Sequence, residues 1–260
     1  MSHRLSTAAL IACLAFTSQV AQGASIIEDF ESGAPDWTLV DINSASYGLG
    51  SGFSGLGGTV SSNSWDNSFS RLPGGYIVNS GDTAFDATQA ISGSFNFLAS
   101  SGDSRYPGAA FMMGDILSGL TTTDAGQFVA ANLQSNTFGA RGYIMDGTGA
   151  KVSTQGNINF SFNTWYKAEF DWTPTSGTSG VFSLTVKTLT NAVVTTTHTA
   201  NVTLDSSTVH FGFGSAQPSA YGPAISTIDN INITGTEVPE PGSLALLGLG
   251  GLLVSRRRRG

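Results

Sequence analysis

"WYKAEFDW", Trp165 to Trp172, alternates: Tyr166, Ala168, Phe170 and Trp172 share one face of an extended chain, and Lys167, Glu169 and Asp171 share the other. Successive side chains of a strand point to opposite faces, so this pattern predicts a strand with one buried and one solvated side. "VFSLTVKT", Val181 to Thr188, repeats the pattern, with Phe182, Leu184 and Val186 inward and Ser183, Thr185 and Lys187 outward. Between them "TPTSGTSG" supplies Pro, Gly and Ser, so the two runs read as an antiparallel pair joined by a loop.

Working outward, further strand candidates are "SIIEDF", "DWTLVDI", "GYIVNS", "ISGSFNFLA", "AAFMMGDI", "GQFVAANLQ", "ARGYIMD", "AVVTTTHTANVTL", "VHFGFGS" and "ISTIDNINITG". No segment between the two termini keeps a helical period over three turns. Many short strands with turn signals between them predict an all-β sandwich or barrel. "NSASYGLGSGFSGLGGTVSSNSWDNSFSRLPGG", Asn43 to Gly75, is too long for a structureless loop in a compact domain. Short strands are expected inside it near "GTVSS" and "SFSRL", and "LPGGY" marks a tight turn into the strand at Ile77. The strand pair "WYKAEFDW…GVFSLTVK" and the closing "IDNINITG", Ile228 to Gly235, resemble the concanavalin A-like, laminin-G-type jelly roll or a carbohydrate-binding jelly roll close to it. The resemblance implies an antiparallel jelly-roll β-sandwich.

The two ends carry a different signal. A basic start, an apolar stretch from Leu5 to Phe16 and the small-residue segment "TSQVAQGAS" follow the order of a secretory signal peptide, a helix cut between Gly23 and Ala24. "LIAC", Leu10 to Cys13, also resembles a lipoprotein cleavage box, but the apolar stretch before it is short and continues beyond the cysteine. Cys13 is the single cysteine, and cleavage at Gly23 removes it. The exported chain then relies on packing alone, without disulfide or thiolate ligand.

At the far end "VPEPGSLALLGLGGLLVSRRRRG" holds a run without charge from Gly242 to Ser255, 14 residues. As a helix it reaches about 21 Å, short of the ~30 Å hydrocarbon core. Arg256, Arg257, Arg258 and Arg259 would hold its C-terminal side in the cytoplasm, leaving the rest outside. Pro239, Glu240 and Pro241, then a short Gly/Leu-rich transmembrane helix, then the arginine cluster resemble the PEP-CTERM sorting signal. That resemblance implies recognition by an exosortase, a membrane-embedded cysteine transpeptidase acting near the Pro-Glu-Pro. It also implies a Gram-negative cell that secretes exopolysaccharide, a transient stay at the inner membrane, and delivery to the surface or matrix. The organisation is a signal peptide at 1–23, a sandwich at 24–237 and a sorting signal at 238–260.

Between the ends, Arg71, Arg105, Arg141, Lys151, Lys167 and Lys187 face 17 of the 18 acids, a balance of −11. So acidic a body does not suit nucleic acid or anionic lipid, whose binding depends on clustered Lys and Arg. Recurring aromatics argue against disorder.

For catalysis the residues offer little. Histidine occurs only at His3, in the signal, and at His198 and His210. His198, flanked by threonines, reads as an exposed strand residue. No G-x-S-x-G elbow appears, since "GSGFSG" is spaced differently. "EDFE", Glu28 to Glu31, departs from the paired-carboxylate spacings of jelly-roll glucanases. The expectation is a non-enzyme with a structural or adhesive role at the surface, the alternative being a module that binds matrix polysaccharide.

Two candidate sites remain. Asp229 has the parity of Ile225, Ile231 and Ile233, and Glu28 that of Ile26 and Phe30, so regular strands would set both carboxylates on apolar faces. First and last strands often lie side by side in jelly rolls, and several carbohydrate-binding members hold structural Ca²⁺ between them. Structural calcium between Glu28 and Asp229 is therefore one expectation. The other is that Asp229 sits at a bulge or caps a turn, with Glu28 at the rim. Trp65 and Tyr47, in the long Gly/Ser stretch, and Tyr106, in "SGDSRYPG", are the candidate sugar-stacking residues. Trp37, Trp165 and Trp172 are expected to pack the core.

Overall fold

A computed structural model describes residues 23–33, 36–41, 46–51, 56–62, 75–81, 83–99, 108–117, 128–134, 140–145, 151–158, 161, 163–194, 197–215 and 224–238. Every ladder is antiparallel, and the strands form two sheets. The first holds β1 (Gly23–Glu28), β3 (Ser46–Ser51), β4 (Leu56–Ser62), β7 (Ile91–Ala99), β12 (Thr164–Ser176), β13 (Ser179–Thr188), β14 (His198–Thr203) and β16 (Ala224–Thr236). The second holds β2 (Trp37–Asp41), β5 (Gly75–Asn79), β6 (Phe85–Asp86), β8 (Gly108–Gly114), β9 (Phe128–Gln134), β10 (Ala140–Met145), β11 (Lys151–Ile158) and β15 (Thr208–Ser215). Their orders are β14-β13-β12-β7-β16-β4-β3, with β1 on β16, and β11-β10-β9-β8-β15-β5-β2, with β6 on β15.

The alternation that predicted β12 and β13 is what the sandwich uses. Tyr166, Ala168, Phe170, Trp172, Phe182, Leu184 and Val186 are buried in one core with Phe95 and Phe97 of the same sheet. Ala109, Phe111 and Met113 of β8 and Val209, Phe211 and Phe213 of β15 meet them from the second sheet. Ring centroids of Phe111 and Phe170 lie 4.4 Å apart across the two layers. Gly93, directly opposite Phe170 in the ladder, lets that ring lie over its backbone: a Cβ there would come within 2.6 Å of Phe170 Cζ.

Several details differ from the expectation. The loop between β12 and β13 shrinks to Gly177 and Thr178, with Gly177 at φ 54°, and both strands run into the "TPTSGTSG" segment. Pro174 is tolerated there because β7 pairs with β12 only as far as Trp172. "AVVTTTHTANVTL" becomes strand only from His198, since Val194 N–H turns back to donate to Val186 C=O at 2.8 Å. "GTVSS" lies in β4 as expected, whereas "SFSRL" falls outside the described residues. The edge strand β11, "KVSTQGNI", has no clear apolar side in its sequence and was not anticipated. Both expected terminal helices also fall outside the described residues. Within the described residues no helix is long and apolar enough to cross a membrane.

Asn79 joins β5 to β15 where their backbone ladder ends. Its Oδ1 accepts from Phe211 N–H at 2.7 Å and its Nδ2 donates to Thr83 C=O at 2.8 Å, at 2 % exposure. Asn79→Ala would strand two backbone groups, one of them deeply buried, so a loss of about 1–3 kcal/mol is expected in denaturant unfolding.

Candidate functional site

The first and last strands do lie side by side: Gly23 faces Thr236 and Glu28 faces Ile231. The two carboxylates nevertheless go to different faces. Glu28 keeps the core-facing parity of Ile231, at the rim of the sandwich. A β-bulge between Asp229 and Asn232 resets the parity of β16, with Asn230 at φ 50°. Asp229 is thereby set opposite Asn96, on the outward side of the strand although fully buried, while Ile228 and Ile231 both stay in the core. The bulge resolves the conflict that suggested a metal. Asn accepts a left-handed backbone more readily than most residues, and the three-residue step from Ile228 to Ile231 in "IDNINI" was the signal of a broken alternation.

Both carboxylates also find protein donors. Glu28 Oε1 accepts from Phe30 N–H at 2.6 Å, and Asp229 Oδ1 accepts from Asn230 N–H at 2.8 Å. Burial raises the pKa of Glu28 above its ordinary value, opposed by the hydrogen bonds from Phe30 and Trp37. Among the described residues no group of three or more His, Cys, Asp or Glu side chains is placed to hold a metal ion. The separate faces of Glu28 and Asp229 thus lend no support to a Ca²⁺ shared by this pair. Exchanging calcium for EDTA is expected to shift the melting temperature of the wild type and Asp229→Asn equally. A calcium-dependent stabilisation that Asp229→Asn abolishes would restore the metal.

"EDFE" does not form one strand face either. β1 ends at Glu28, Phe30 turns into the core at φ 56°, and Asp29 Oδ1 accepts from Glu31 N–H at 3.0 Å. His198 stands in register with the core residue Leu184 and is half-buried rather than exposed. His210 is buried on the outward side of β15. Burial lowers the pKa of both histidines below 6.5, leaving the imidazoles neutral near neutrality.

Trp65 and Tyr106 fall outside the described residues, as do Pro239, Glu240, Pro241 and Arg256 to Arg259. Tyr47 stands in β3 opposite Val60 of β4. Trp37 and Trp172 are buried in the core as expected, and Trp172 Nε1 donates to Ala87 C=O at 2.7 Å. Trp165 does not join them: it shares the outward parity of Lys167 and is half-buried on the outer face, opposite Leu98. Its place in "WYKAEFDW" already indicated this.

The outer face of the first sheet carries polar side chains from four neighbouring strands. Its rows run across the strands as Asp171, Ser92, Thr234 and Ser25, then Glu169, Ser94, Asn232 and Ile27, then Lys167, Asn96 and Asp229. Two depressions of about 480 and 350 Å³ meet at Ser94, Lys167 and Asn232. Together they make a trough floored by β7 and β16, banked by β12 on one side and β1 on the other. Lys167 and Lys187 reach Glu169 at 3.0 and 2.5 Å. The hydrogen bond from Lys187 is the main influence holding the Glu169 carboxyl below its ordinary value. Sequence reasoning did not single out this surface, because its residues are the routine outward positions of several strands and only their registers bring them together.

Residues 237–259 match the PEP-CTERM protein-sorting motif. No curated protein matches the chain. The sandwich is similar to peanut lectin, at 16 % identity and a TM-score of 0.57, over 85 % of this chain and 100 % of the lectin. It is also similar to lectin I of Ulex europaeus, solved with the methyl glycoside of α-L-fucose, at 12 % identity and a TM-score of 0.52, over 82 % and 97 %. A protein of unknown function from Shewanella oneidensis MR-1 matches at 16 % identity and a TM-score of 0.53, over 91 % and 97 %. The fold is a concanavalin A-like jelly roll, and it ends in a PEP-CTERM motif.

Proposed function

We propose that this chain is exported through the secretion machinery of a Gram-negative cell and held briefly at the inner membrane by its tail. An exosortase then processes it for delivery to the surface or the exopolysaccharide matrix. There the sandwich serves a structural or adhesive role and does not catalyse a reaction. The observation that carries this reading is the sorting motif, joined without a spacer to a β-sandwich whose last strand ends at Thr236.

A second reading, that adhesion works through bound polysaccharide, is favoured by the amide- and hydroxyl-lined outer face and by the likeness to lectins. The test is co-sedimentation of the exported protein with exopolysaccharide from the producing cell. Retention in the polymer pellet supports the reading, and recovery in the supernatant at every polymer concentration overturns it. Turnover of any glycan, lost in Glu28→Gln, would overturn the non-catalytic role.

A further inference from the structure

We infer that the outer-face trough over β7 and β16 is a binding site for a neutral polysaccharide chain; this rests on the reading that the protein holds polysaccharide. Asn96 stands on its floor at 7 % exposure. A recessed polar group of this kind is satisfied by a protein partner, by water or by a ligand. An amide offers two donors and two acceptor lone pairs, which suits the paired hydroxyls of a sugar ring.

The groups around Asn96 extend the same chemistry. Ser94 lies two residues along β7 and Asn232 directly across from it on β16, so a hydroxyl and a second amide continue the floor. Ile27, 76 % exposed on β1, stands on one bank, and Leu189 lines the trough from the other. These give apolar contact for the C–H faces of a sugar beside a polar floor, the mixture typical of small-ligand sites. Both depressions are open and run together along the strands, which suits a chain rather than a single buried ring.

Charge selects the class of polymer. The lysine on the bank, Lys167, is already paired with Glu169 at 3.0 Å, and Lys187 is paired with the same carboxylate. Asp29 and Asp171 also line the two depressions, on a body with a balance of −11. A uronate or sulfated chain would meet a compensated cation and surplus carboxylates, whereas a neutral chain meets only hydrogen-bonding partners.

The test uses the exported protein in affinity electrophoresis through gels containing dextran, laminarin or galactomannan, with alginate as the anionic polymer. The wild type is expected to be retarded by at least one neutral polymer and less by alginate. Asn96→Leu and Asn232→Ala are each expected to weaken that retardation about tenfold or more. Asn232 is exposed, so its variant keeps the test decisive should Asn96→Leu fold poorly. Unchanged retardation of the Asn232→Ala variant and of a folded Asn96→Leu variant would overturn the trough while leaving polysaccharide binding in place. Retardation by alginate alone would overturn the neutral assignment. A wild type that no polymer retards, and that does not co-sediment with the cell's own polysaccharide, would overturn both readings.

Discussion

Replacing Pro239, Glu240 and Pro241 together by alanine is expected to move nearly all of the protein from the surface to the inner-membrane fraction, with its C-terminus still at Gly260. The expectation follows from what the tail can and cannot do. As a helix its 14 uncharged residues would reach about 21 Å, which would fit a ~30 Å core only by thinning it or by snorkelling of the flanking residues. Four arginines resist translocation of its far end. An unprocessed tail of this kind is therefore expected to retain the body at the membrane until it is cut. Fractionation followed by intact mass checks the outcome, and an alanine variant that reaches the surface with a shortened C-terminus would contradict it.

The fold adds a constraint on where the cut falls. Gly23 pairs with Thr236, Glu237 bridges to Phe85, and Val238 N–H donates to Ala84 C=O at 2.9 Å. The matched motif begins at residue 237, so its first two residues belong to the folded body. Cleavage is accordingly expected at or beyond the bond after Val238. The two expected processing points also lie side by side on the sandwich, since Gly23 opposes Thr236 in the ladder of β1 and β16.

Phe111→Ala is expected to be the most damaging single change in the sandwich, costing about 3–5 kcal/mol in denaturant unfolding. At 0 % exposure, Phe111 has ring centroids at 5.5 Å from Phe95, 4.4 Å from Phe170, 6.0 Å from Phe182, 5.9 Å from Phe211 and 5.4 Å from Phe213. It thus ties β8 to β15 within one layer and to β7, β12 and β13 across the core. Truncation removes its own burial and one ring from each of these pairs, and aromatic pairs each contribute about 0.5–1.5 kcal/mol beyond area. For a body of this size the melting temperature should fall by roughly 6–20 °C, taking about 2–4 °C per kcal/mol. A loss under about 1 kcal/mol would mean that the two layers do not close on this ring cluster.

Much of this core was legible because its strands are regular. In "SFNFL", "HFGFG" and "WYKAEFDW" every second residue is apolar and most are aromatic, and those positions are buried. The candidate site was far less legible, for reasons that are physical. One bulge at Asn230 reverses the face of Asp229, and alternation carries no information across a bulge. The trough needs the registers β12 to β7, β7 to β16 and β16 to β1, which join residues up to about 200 positions apart in the chain. Asn96 reads in sequence as one polar residue between two phenylalanines. Only the assembled sheet shows that its amide is recessed.

The most direct test of export and tail processing is the intact mass of the wild-type protein recovered from the surface or matrix of the producing cell. The expected mass is that of a chain that begins at Ala24 and ends at or shortly beyond Val238, without the arginine cluster. A surface chain that still ends at Gly260 would contradict it.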